Sequence, residues 1–149
     1  MLIADPARAA RYALRGVLER RGLLVCADVE DVAGAVEVAA RERPDVCLLD
    51  SALGGSGCVG VRPILRAAPE TRVVLLSNSS SDEELLDAVV AGASGHLAKT
   101  ISSRALAAAL RDVVVGKSAF PRRVDTLLVD AVRGSARAEP MHHVNAPLR

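Results

Sequence analysis

Five short apolar runs recur along the chain, and each is followed by a longer segment with helical spacing of its apolar residues. The short runs are Met1–Ala4, Leu23–Ala27, Val46–Leu49, Val73–Leu76 and Gly95–Ala98. The longer segments are Ala7–Arg21, Asp31–Arg43, Val61–Ala68, Asp82–Ala91 and Ser102–Val115. Because the runs are too short for helices and lack polar alternation, we expect strands that are buried on both faces. Strands that alternate with helices predict an α/β fold with a parallel sheet and right-handed crossovers.

Length and charge limit the classes of function that this fold serves. The 149 residues suit one domain, and the hydrophobic content of 50% is enough for a core. The net charge is only +1 and the aromatic residues are Tyr12 and Phe120 alone, which argues against a nucleic-acid-binding domain. No apolar run is long enough to span a membrane, and the N-terminus lacks the basic and apolar regions of a signal peptide. We therefore expect a cytoplasmic protein with no membrane partner.

The three cysteines, Cys26, Cys47 and Cys58, form no C-x-x-C pair, and no histidine lies at metal-ligand spacing. Cys26 and Cys47 lie within apolar runs, so we expect both to be small buried hydrophobic residues. Cys58 lies in a glycine-rich loop and is expected to be more exposed. The pair His142 and His143 is too short and too close to the C-terminus to predict a metal site.

The periodic pattern weakens after Val115. Pro121 is suited to open a further helix through Val132, in which apolar residues keep helical spacing. From Gly134 onward the chain is polar, contains two prolines and has no periodicity, which is typical of a flexible tail. We therefore divide the chain into a main domain over residues 1–116, a linker helix over 117–133 and a flexible tail over 134–149.

Chemically active side chains stand at the end of every apolar run. They are Asp5, Asp28, Asp50, Ser77 and Lys99. In an open parallel sheet the carboxyl ends of the strands share one edge, where ligands bind. Carboxylates, a hydroxyl and an amine suit phosphate and cations, and the glycine-rich segment after Asp50 leaves its carboxylate accessible. The sequence therefore predicts a site for phosphate and a cation at this edge.

Four of these residues, Asp5, Asp50, Ser77 and Lys99, give the sequence a pattern that resembles the receiver domains of bacterial two-component response regulators, especially those of the NarL/LuxR family. The resemblance covers about residues 2–115 and extends to Arg43–Asp45 and Ala91–Gly95, which precede or open the third and fifth runs. It implies a three-layer α/β sandwich with a flavodoxin-like sheet of five parallel strands in the order 2-1-3-4-5. It also implies a signalling function in transcription regulation and no enzymatic one.

Each site residue has a counterpart in the family's pattern. The resemblance implies that Asp50 accepts a phosphoryl group from a histidine kinase, that Ser77 is the family's hydroxyl residue and that Lys99 is its lysine. Asp5 matches the first residue of the acidic pair that binds Mg²⁺, and Asp50 and the backbone carbonyl of Ala52 would complete the metal ligands. A cation and a lysine are needed because phosphoryl transfer adds negative charge beside an existing carboxylate.

Four residues depart from the family's pattern. Pro6 stands where the family has the second acidic residue, a direct metal ligand. The pair Leu53 and Gly54 replaces the usual Met-Pro pair, and His96 occupies the usual aromatic switch position. Since proline offers no side-chain oxygen, we expect Mg²⁺ to bind weakly or not at all and Asp50 to be phosphorylated slowly or not at all.

Two other functions stay open on the sequence. One is a phosphorylation-independent pseudo-receiver that acts as an interaction or ligand-sensing module. The other is a small flavodoxin-like enzyme or nucleotide binder, against which no G-x-G-x-x-G or Walker loop opens the first helix. The family's regulators normally carry a helix-turn-helix domain after a linker. We therefore expect DNA to be bound only through a C-terminal domain absent from this chain, and a homodimer is a further candidate partner.

Residues outside this set receive structural interpretations. Asp28 has no role in the family and is expected to be a turn or cap residue. Arg8, Arg11 and Arg15 line one face of the first helical segment and are expected to form a solvated face, with docking of a kinase or a partner receiver as the functional alternative. His96 is expected to be an amphipathic filler at the sheet edge and no pH sensor.

Overall fold

The computed structural model describes residues 1–55 and 58–138. Within them lie the strands β1 (Leu2–Ala4), β2 (Ala27–Val29), β3 (Val46–Asp50), β4 (Arg72–Ser77) and β5 (Gly95–Ala98). The helices are α1 (Arg8–Arg20), α2 (Val32–Glu42), α3 (Val61–Ala67), α4 (Asp82–Ala91), α5 (Ser103–Val114) and α6 (Arg123–Ala138). None of the helices in these residues combines the length and the apolar character that crossing a lipid bilayer requires.

The strands form one parallel sheet in the order β2-β1-β3-β4-β5, which confirms the predicted fold class and strand order. The central strand β3 is buried along its whole length, and its side chains alternate between the two faces. Cys47 and Leu49 pack in the core cluster under α2, α3 and α4, whereas Val46 and Leu48 pack in the cluster under α1 and α5. The helices therefore form the two outer layers of a three-layer sandwich.

The second strand begins later than the sequence predicts. The predicted strand Leu23–Ala27 overlaps the observed strand Ala27–Val29 at one residue. Pairing with β1 sets this boundary because β2 is an edge strand with a single neighbour. Leu23 and Val25 pack against the core under α1 and α5 ahead of the strand, so the apolar run marks burial and not pairing. Asp28 lies in the middle of β2, and the prediction of a turn or cap residue is wrong.

The three cysteines are free thiols that differ in exposure. Cys47 in β3 is fully buried as predicted, and burial raises the pKa of its thiol to about 12. Cys58 is half-buried, and burial raises its pKa as well. Cys26 is exposed, so the prediction that it is buried is wrong. It precedes the edge strand, where the apolar run is covered on one side only.

Side-chain caps fix the starts of three helices. Ser81 accepts a hydrogen bond of 3.2 Å from the backbone N–H of Glu84, so α4 begins where the capping-box spacing predicts. Asp31 caps α2 and Ser102 caps α5 in the same way. The caps on α4 and α5 matter most for function, because these helices follow the loops that leave β4 and β5.

The chain after α5 returns to the open edge of β5. Ala119 forms an isolated parallel bridge to Gly95, and its N–H donates to Ser94 while its carbonyl accepts from the N–H of His96. α6 then packs against α4, and its residue Val124 is buried. The segment therefore covers backbone groups of β5 that would otherwise be unpaired.

The last helix extends further than the sequence predicts. It runs over Arg123–Ala138, whereas the prediction ended the linker helix at residue 133 and began a flexible tail at residue 134. Gly134 lowers helix propensity, but the alanines and arginine that follow it favour a helix and continue it into the predicted tail. The remaining residues 139–149, with His142 and His143, lie outside the described residues.

Gly95 permits the close approach of the returning chain. A Cβ atom on Gly95 would lie 2.8 Å from the carbonyl oxygen of Ala119 and 2.9 Å from its Cβ, both shorter than real Cβ contacts. Any side chain at this position would have to displace the backbone of Ala119. Glycine is therefore required where the two segments touch.

We expect Gly95→Ala to lower the free energy of unfolding by about 1–3 kcal/mol, because the added methyl group has to push the Ala119 backbone away. Chemical denaturation followed by circular dichroism measures the change. Gly134→Ala is the matched control, since nothing lies within 4 Å of the added Cβ and α6 should gain about 0.5–1 kcal/mol. If Gly95→Ala is as stable as the parent protein, the contact does not constrain the fold.

Candidate functional site

Parallel register brings four of the predicted residues to one edge of the sheet. Asp50 is the last residue of β3. Asp5 directly follows β1, whose last residue pairs with Leu49, so Asp5 lies level with Asp50. Ser77 ends β4, and the backbone N–H of Lys99 donates to the carbonyl of Ser77 over 2.8 Å. The carboxyl ends of β1, β3, β4 and β5 therefore present two carboxylates, a hydroxyl and an ammonium group together.

Asp50 and Lys99 form the ion pair at the centre of this site. Lys99 Nζ lies 2.9 Å from Asp50 Oδ1. The Asp50 side chain is only 5% exposed, so the prediction that its carboxylate is accessible is wrong. The Lys99 side chain is 30% exposed and reaches the carboxylate from the solvent side. The contact is electrostatic without hydrogen-bond alignment, so Oδ1 is a buried oxygen with no aligned donor within residues 1–55 and 58–138. Such an oxygen keeps its capacity to accept a further group.

Ser77 connects this edge with the loop that enters α4. Its Oγ accepts a hydrogen bond of 3.1 Å from the backbone N–H of Ser79. Alternation along β4 places Ser77 on the same face of the sheet as Leu75, which packs in the cluster under α4. Asp50 continues the opposite alternation of Leu48 on the face of α1 and α5. The site therefore spans the end of the sheet, with the carboxylate on one face and the hydroxyl on the other.

Asp5 is held by the start of α1. Its Oδ1 accepts a hydrogen bond of 2.8 Å from the backbone N–H of Ala7, in an Asx turn that spans Pro6. The carboxylate is buried, and Pro6 adds no side-chain oxygen beside it. In the part of the chain that the structure describes, no cluster of three or more His, Cys, Asp and Glu side chains could hold a metal ion. A metal bound here would therefore rest on fewer protein ligands than the family's acidic pair provides.

The oxygens that remain still fit Mg²⁺. This ion takes one or two carboxylates from a protein and completes its octahedron with water and phosphate oxygens. Asp5 and Asp50 supply two carboxylates at the same edge. The carbonyl of Ala52 accepts a hydrogen bond of 3.1 Å from the N–H of Gly55, which leaves one lone pair for a cation. These three oxygen donors are compatible with a Mg²⁺ site that has few protein ligands.

The predicted arginine stripe is in part an ion-pair network. Arg11 Nε lies 3.1 Å from Asp28 Oδ1, and Arg15 Nη2 lies 3.0 Å from Asp28 Oδ2. Arg11 Nη1 also donates to the backbone carbonyl of Asp5 over 2.7 Å. The prediction of a solvated face is wrong for Arg11 and Arg15, because β2 supplies a carboxylate that helical spacing does not reveal. Arg8 is exposed, and a docking role for this face stays a prediction.

His96 faces α4 from β5 and is only 2% exposed. Its Nε2 lies 3.9 Å from Oε2 of Glu84, and both that oxygen and His96 Nδ1 are buried without a hydrogen-bond partner among the described residues. A cavity of about 30 Å³ is lined by Ser51, Cys58, Leu75, Glu84 and His96. The prediction of a filler at the sheet edge is wrong because Ala119 covers that edge. No signal in the sequence shows that Glu84 approaches His96.

A family model described as the response regulator receiver domain matches residues 1–111. The chain belongs to this family. One curated relative of this receiver domain is the DNA-binding transcriptional activator DevR/DosR of Mycobacterium tuberculosis, which is 38% identical over 130 residues. The match covers 84% of this chain and 60% of DevR/DosR, so the chain spans about three fifths of that relative's length. Receiver domains are signalling proteins and not enzymes, which confirms that prediction.

Solved receiver structures share the fold. A LuxR-family response regulator from Aurantimonas sp. SI85-9A1 superimposes with a TM-score of 0.77 at 24% identity, over 87% of this chain and 94% of that one. The signal receiver domain of NarL from Mycobacterium tuberculosis gives a TM-score of 0.72 at 27% identity, over 78% of this chain and 95% of that one. These matches confirm the predicted NarL/LuxR type. They give no support to a pseudo-receiver, and the flavodoxin-like enzyme is set aside.

Family membership fixes the general properties of the site and leaves the individual roles as predictions. Receiver domains generally bind Mg²⁺ for phosphorylation and interact with histidine kinases. The roles of Asp5, Asp50, Ala52, Ser77 and Lys99 in this chain are therefore part of the proposal that follows.

The ionisation of His96 predicts a pH-dependent stability. Burial is the main cause that lowers the pKa of His96; the Glu84 carboxylate opposes this effect and the Arg123 guanidinium reinforces it. The unfolded chain therefore takes up this proton first as the pH falls through 6.5. We expect the free energy of unfolding to decline from about pH 7 to about pH 5.5, and His96→Phe to remove this part of the decline.

Urea titrations at a series of pH values measure the effect. His96→Gln keeps a polar side chain and should also remove the dependence, which separates the loss of ionisation from repacking around a ring. The same pH dependence in the parent protein and in both variants would show that His96 does not titrate in this range.

Proposed function

We propose that this receiver domain accepts a phosphoryl group on Asp50 from a histidine kinase. The observation that carries the proposal is the buried Asp50 carboxylate, whose Oδ1 lies 2.9 Å from Lys99 Nζ and has no aligned donor among the described residues. Its lone pairs stay available for attack on phosphorus, and the lysine is close enough to follow the developing charge. The activity of the family supports the same assignment.

In the reaction, an Asp50 oxygen forms a bond to phosphorus and gives an acyl phosphate. The bond between phosphorus and the histidine nitrogen of the kinase breaks, and its electron pair leaves with the imidazole. Lys99 neutralises one phosphoryl oxygen, and the Ser77 hydroxyl donates a hydrogen bond to another. Asp5, Asp50 and the carbonyl of Ala52 would hold Mg²⁺, which when bound supplies further neutralisation of the phosphoryl oxygens.

Replacement of the acceptor tests the site directly. Incubation with Mg²⁺ and acetyl phosphate should add one phosphoryl group to the parent protein and none to Asp50→Asn, because an amide does not attack phosphorus. Intact-protein mass spectrometry and a phosphate-affinity gel detect the adduct. Asp45→Asn is the matched control, since Asp45 is an exposed carboxylate just before β3 and its loss should leave labelling unchanged. Equal labelling of both variants would place the acceptor elsewhere.

Because Pro6 provides no metal ligand, we expect binding of Mg²⁺ to limit the rate of phosphorylation. We expect Pro6→Asp to raise the affinity for Mg²⁺ about tenfold or more, because a carboxylate about 4 Å from a divalent cation gains about 2 kcal/mol even in water. The rate of labelling at low Mg²⁺ should rise with it. Calorimetric titration with Mg²⁺ and labelling time courses measure the two effects.

The control for Pro6→Asp adds the same charge away from the site. Ala9→Asp places a carboxylate in the first turn of α1 at an exposed position and should leave the affinity for Mg²⁺ within about twofold. Tight binding of Mg²⁺ and rapid labelling by the parent protein would show that the loss of the second acidic residue has no cost.

The proposal extends to the regulator of which this receiver would be part. Residues 1–116 would be the receiver domain and α6 (Arg123–Ala138) the linker helix, and DNA would be bound by a domain outside this chain. DevR/DosR is a DNA-binding transcriptional activator and is longer than this chain, which supports the division. The net charge of +1 fits a domain that does not contact DNA itself. A homodimer and a cytoplasmic location complete the proposal.

A further inference from the structure

One side chain ties α6 to the loop that leaves the candidate site. Residues 78–81 connect Ser77, at the end of β4, with α4. The guanidinium of Arg123 donates a hydrogen bond to the backbone carbonyl of Ser80. Its Nε lies 3.3 Å from Oδ1 of Asp82, the first residue of α4. Because Arg123 is the first residue of α6, this contact joins the helix to the loop and to α4 at once.

The same loop is held from inside by the hydroxyl of the site. Ser77 Oγ accepts the hydrogen bond from the N–H of Ser79, next to the residue whose carbonyl binds Arg123. The Ser81 side chain then caps α4. A loop of this length has few residues that could absorb a displacement of Ser79, so a shift there reaches the Ser80 carbonyl.

We propose that Arg123 is a latch that holds α6 on the receiver domain and that phosphorylation opens it. The inference rests on the proposed function at Asp50. When the Ser77 hydroxyl turns toward a phosphoryl oxygen, its Oγ leaves the N–H of Ser79 and the loop backbone shifts. The Ser80 carbonyl then moves away from the guanidinium, and α6 loses its hold on the loop.

Three attachments hold the C-terminal segment, and they limit what the latch releases. Arg123 and Asp82 are 48% and 66% exposed, so their ion pair is weak and is screened by salt. The bridge between Ala119 and Gly95 consists of backbone hydrogen bonds at a strand that is buried at this point. α6 also packs against α4, and its residue Val124 is buried. Opening of the latch therefore loosens the start of α6, while the residues before it stay on β5.

Hydrogen–deuterium exchange of the α6 amides tests the latch in the full chain without any ligand. Arg123→Ala should speed exchange about two- to fivefold, because the helix loses an ion pair and a charged donor. Arg122→Ala is the matched control, since it removes the same charge one residue earlier and the Arg122 side chain has no ion pair or hydrogen bond within the described residues. Equal exchange in the two variants would overturn the latch.

Ser77→Ala tests the route from the site to the latch, again without phosphoryl chemistry. Loss of Oγ frees the N–H of Ser79, so exchange of the α6 amides should rise about twofold. Ser79→Ala keeps the backbone N–H and should leave exchange as in the parent protein. If Ser77→Ala exchanges like Ser79→Ala, the hydroxyl does not hold the loop and the route is wrong.

Beryllium trifluoride with excess Mg²⁺, a mimic of the phosphoryl group, separates this inference from the proposed function. Fluorine-19 NMR reads formation of the adduct independently, and Asp50→Asn should abolish it. Once the adduct has formed, the α6 amides of the parent protein should exchange as fast as those of Arg123→Ala. Adduct formation in Arg123→Ala should not raise the exchange rate further. An adduct that leaves α6 unchanged overturns the latch. Failure to form any adduct counts against the proposed function, and the exchange of the Arg123 and Ser77 variants then decides on the latch alone.

Discussion

Burial of the Asp50 carboxylate at the end of β3 is the constraint on which the rest of the site depends. A buried charge without a partner costs several kcal/mol, so the fold has to supply a cation beside it. Lys99 follows β5, on the far side of β4, and places its Nζ 2.9 Å from Asp50 Oδ1. It can reach only because its backbone N–H is fixed on the carbonyl of Ser77 by the last hydrogen bond between β4 and β5. The register of the sheet is thus a condition for the charge pair that the chemistry requires.

The phosphoryl-accepting carboxylate and the side chains that contact α4 lie on opposite faces of the sheet. The carboxylate of Asp50 lies on the face of α1 and α5, whereas Ser77 and His96 lie on the face of α4. On this face, His96 Nδ1 and Glu84 Oε2 are buried without hydrogen-bond partners among the described residues, which is unfavourable. The packing of α4 at this point is therefore less stable than a satisfied core, and it can rearrange at a lower cost than the layers around it.

The parallel α/β fold and the meeting of the site residues were predicted from short buried strands alternating with helices, whereas the three layers and the strand order came from the resemblance to a family. The roles of the site residues came from the resemblance to a family and not from spacing. Contacts between distant elements were beyond the sequence: Arg11 pairs with Asp28, which lies in β2 and not in the predicted strand Leu23–Ala27. Gly95 was recognised as part of a family pattern, and nothing in that pattern shows that Ala119 returns to touch it. Periodicity describes one element at a time, whereas these contacts depend on where two elements meet.

Pro6 affects the phosphorylated state of the domain more than it affects the fold. With one carboxylate fewer at the edge, there is less mutual repulsion for a cation to relieve, and the pair of Asp50 and Lys99 already neutralises the centre of the site. The unmodified domain therefore needs a metal less than a site with the full acidic pair does. Phosphorylation replaces the single charge of the carboxylate with the roughly two negative charges of an acyl phosphate, which one lysine cannot balance. The missing metal ligand therefore matters most in the phosphorylated state. Pro6 should change the rate of phosphorylation and the lifetime of the acyl phosphate, and it should leave the stability of the unmodified sheet edge unchanged.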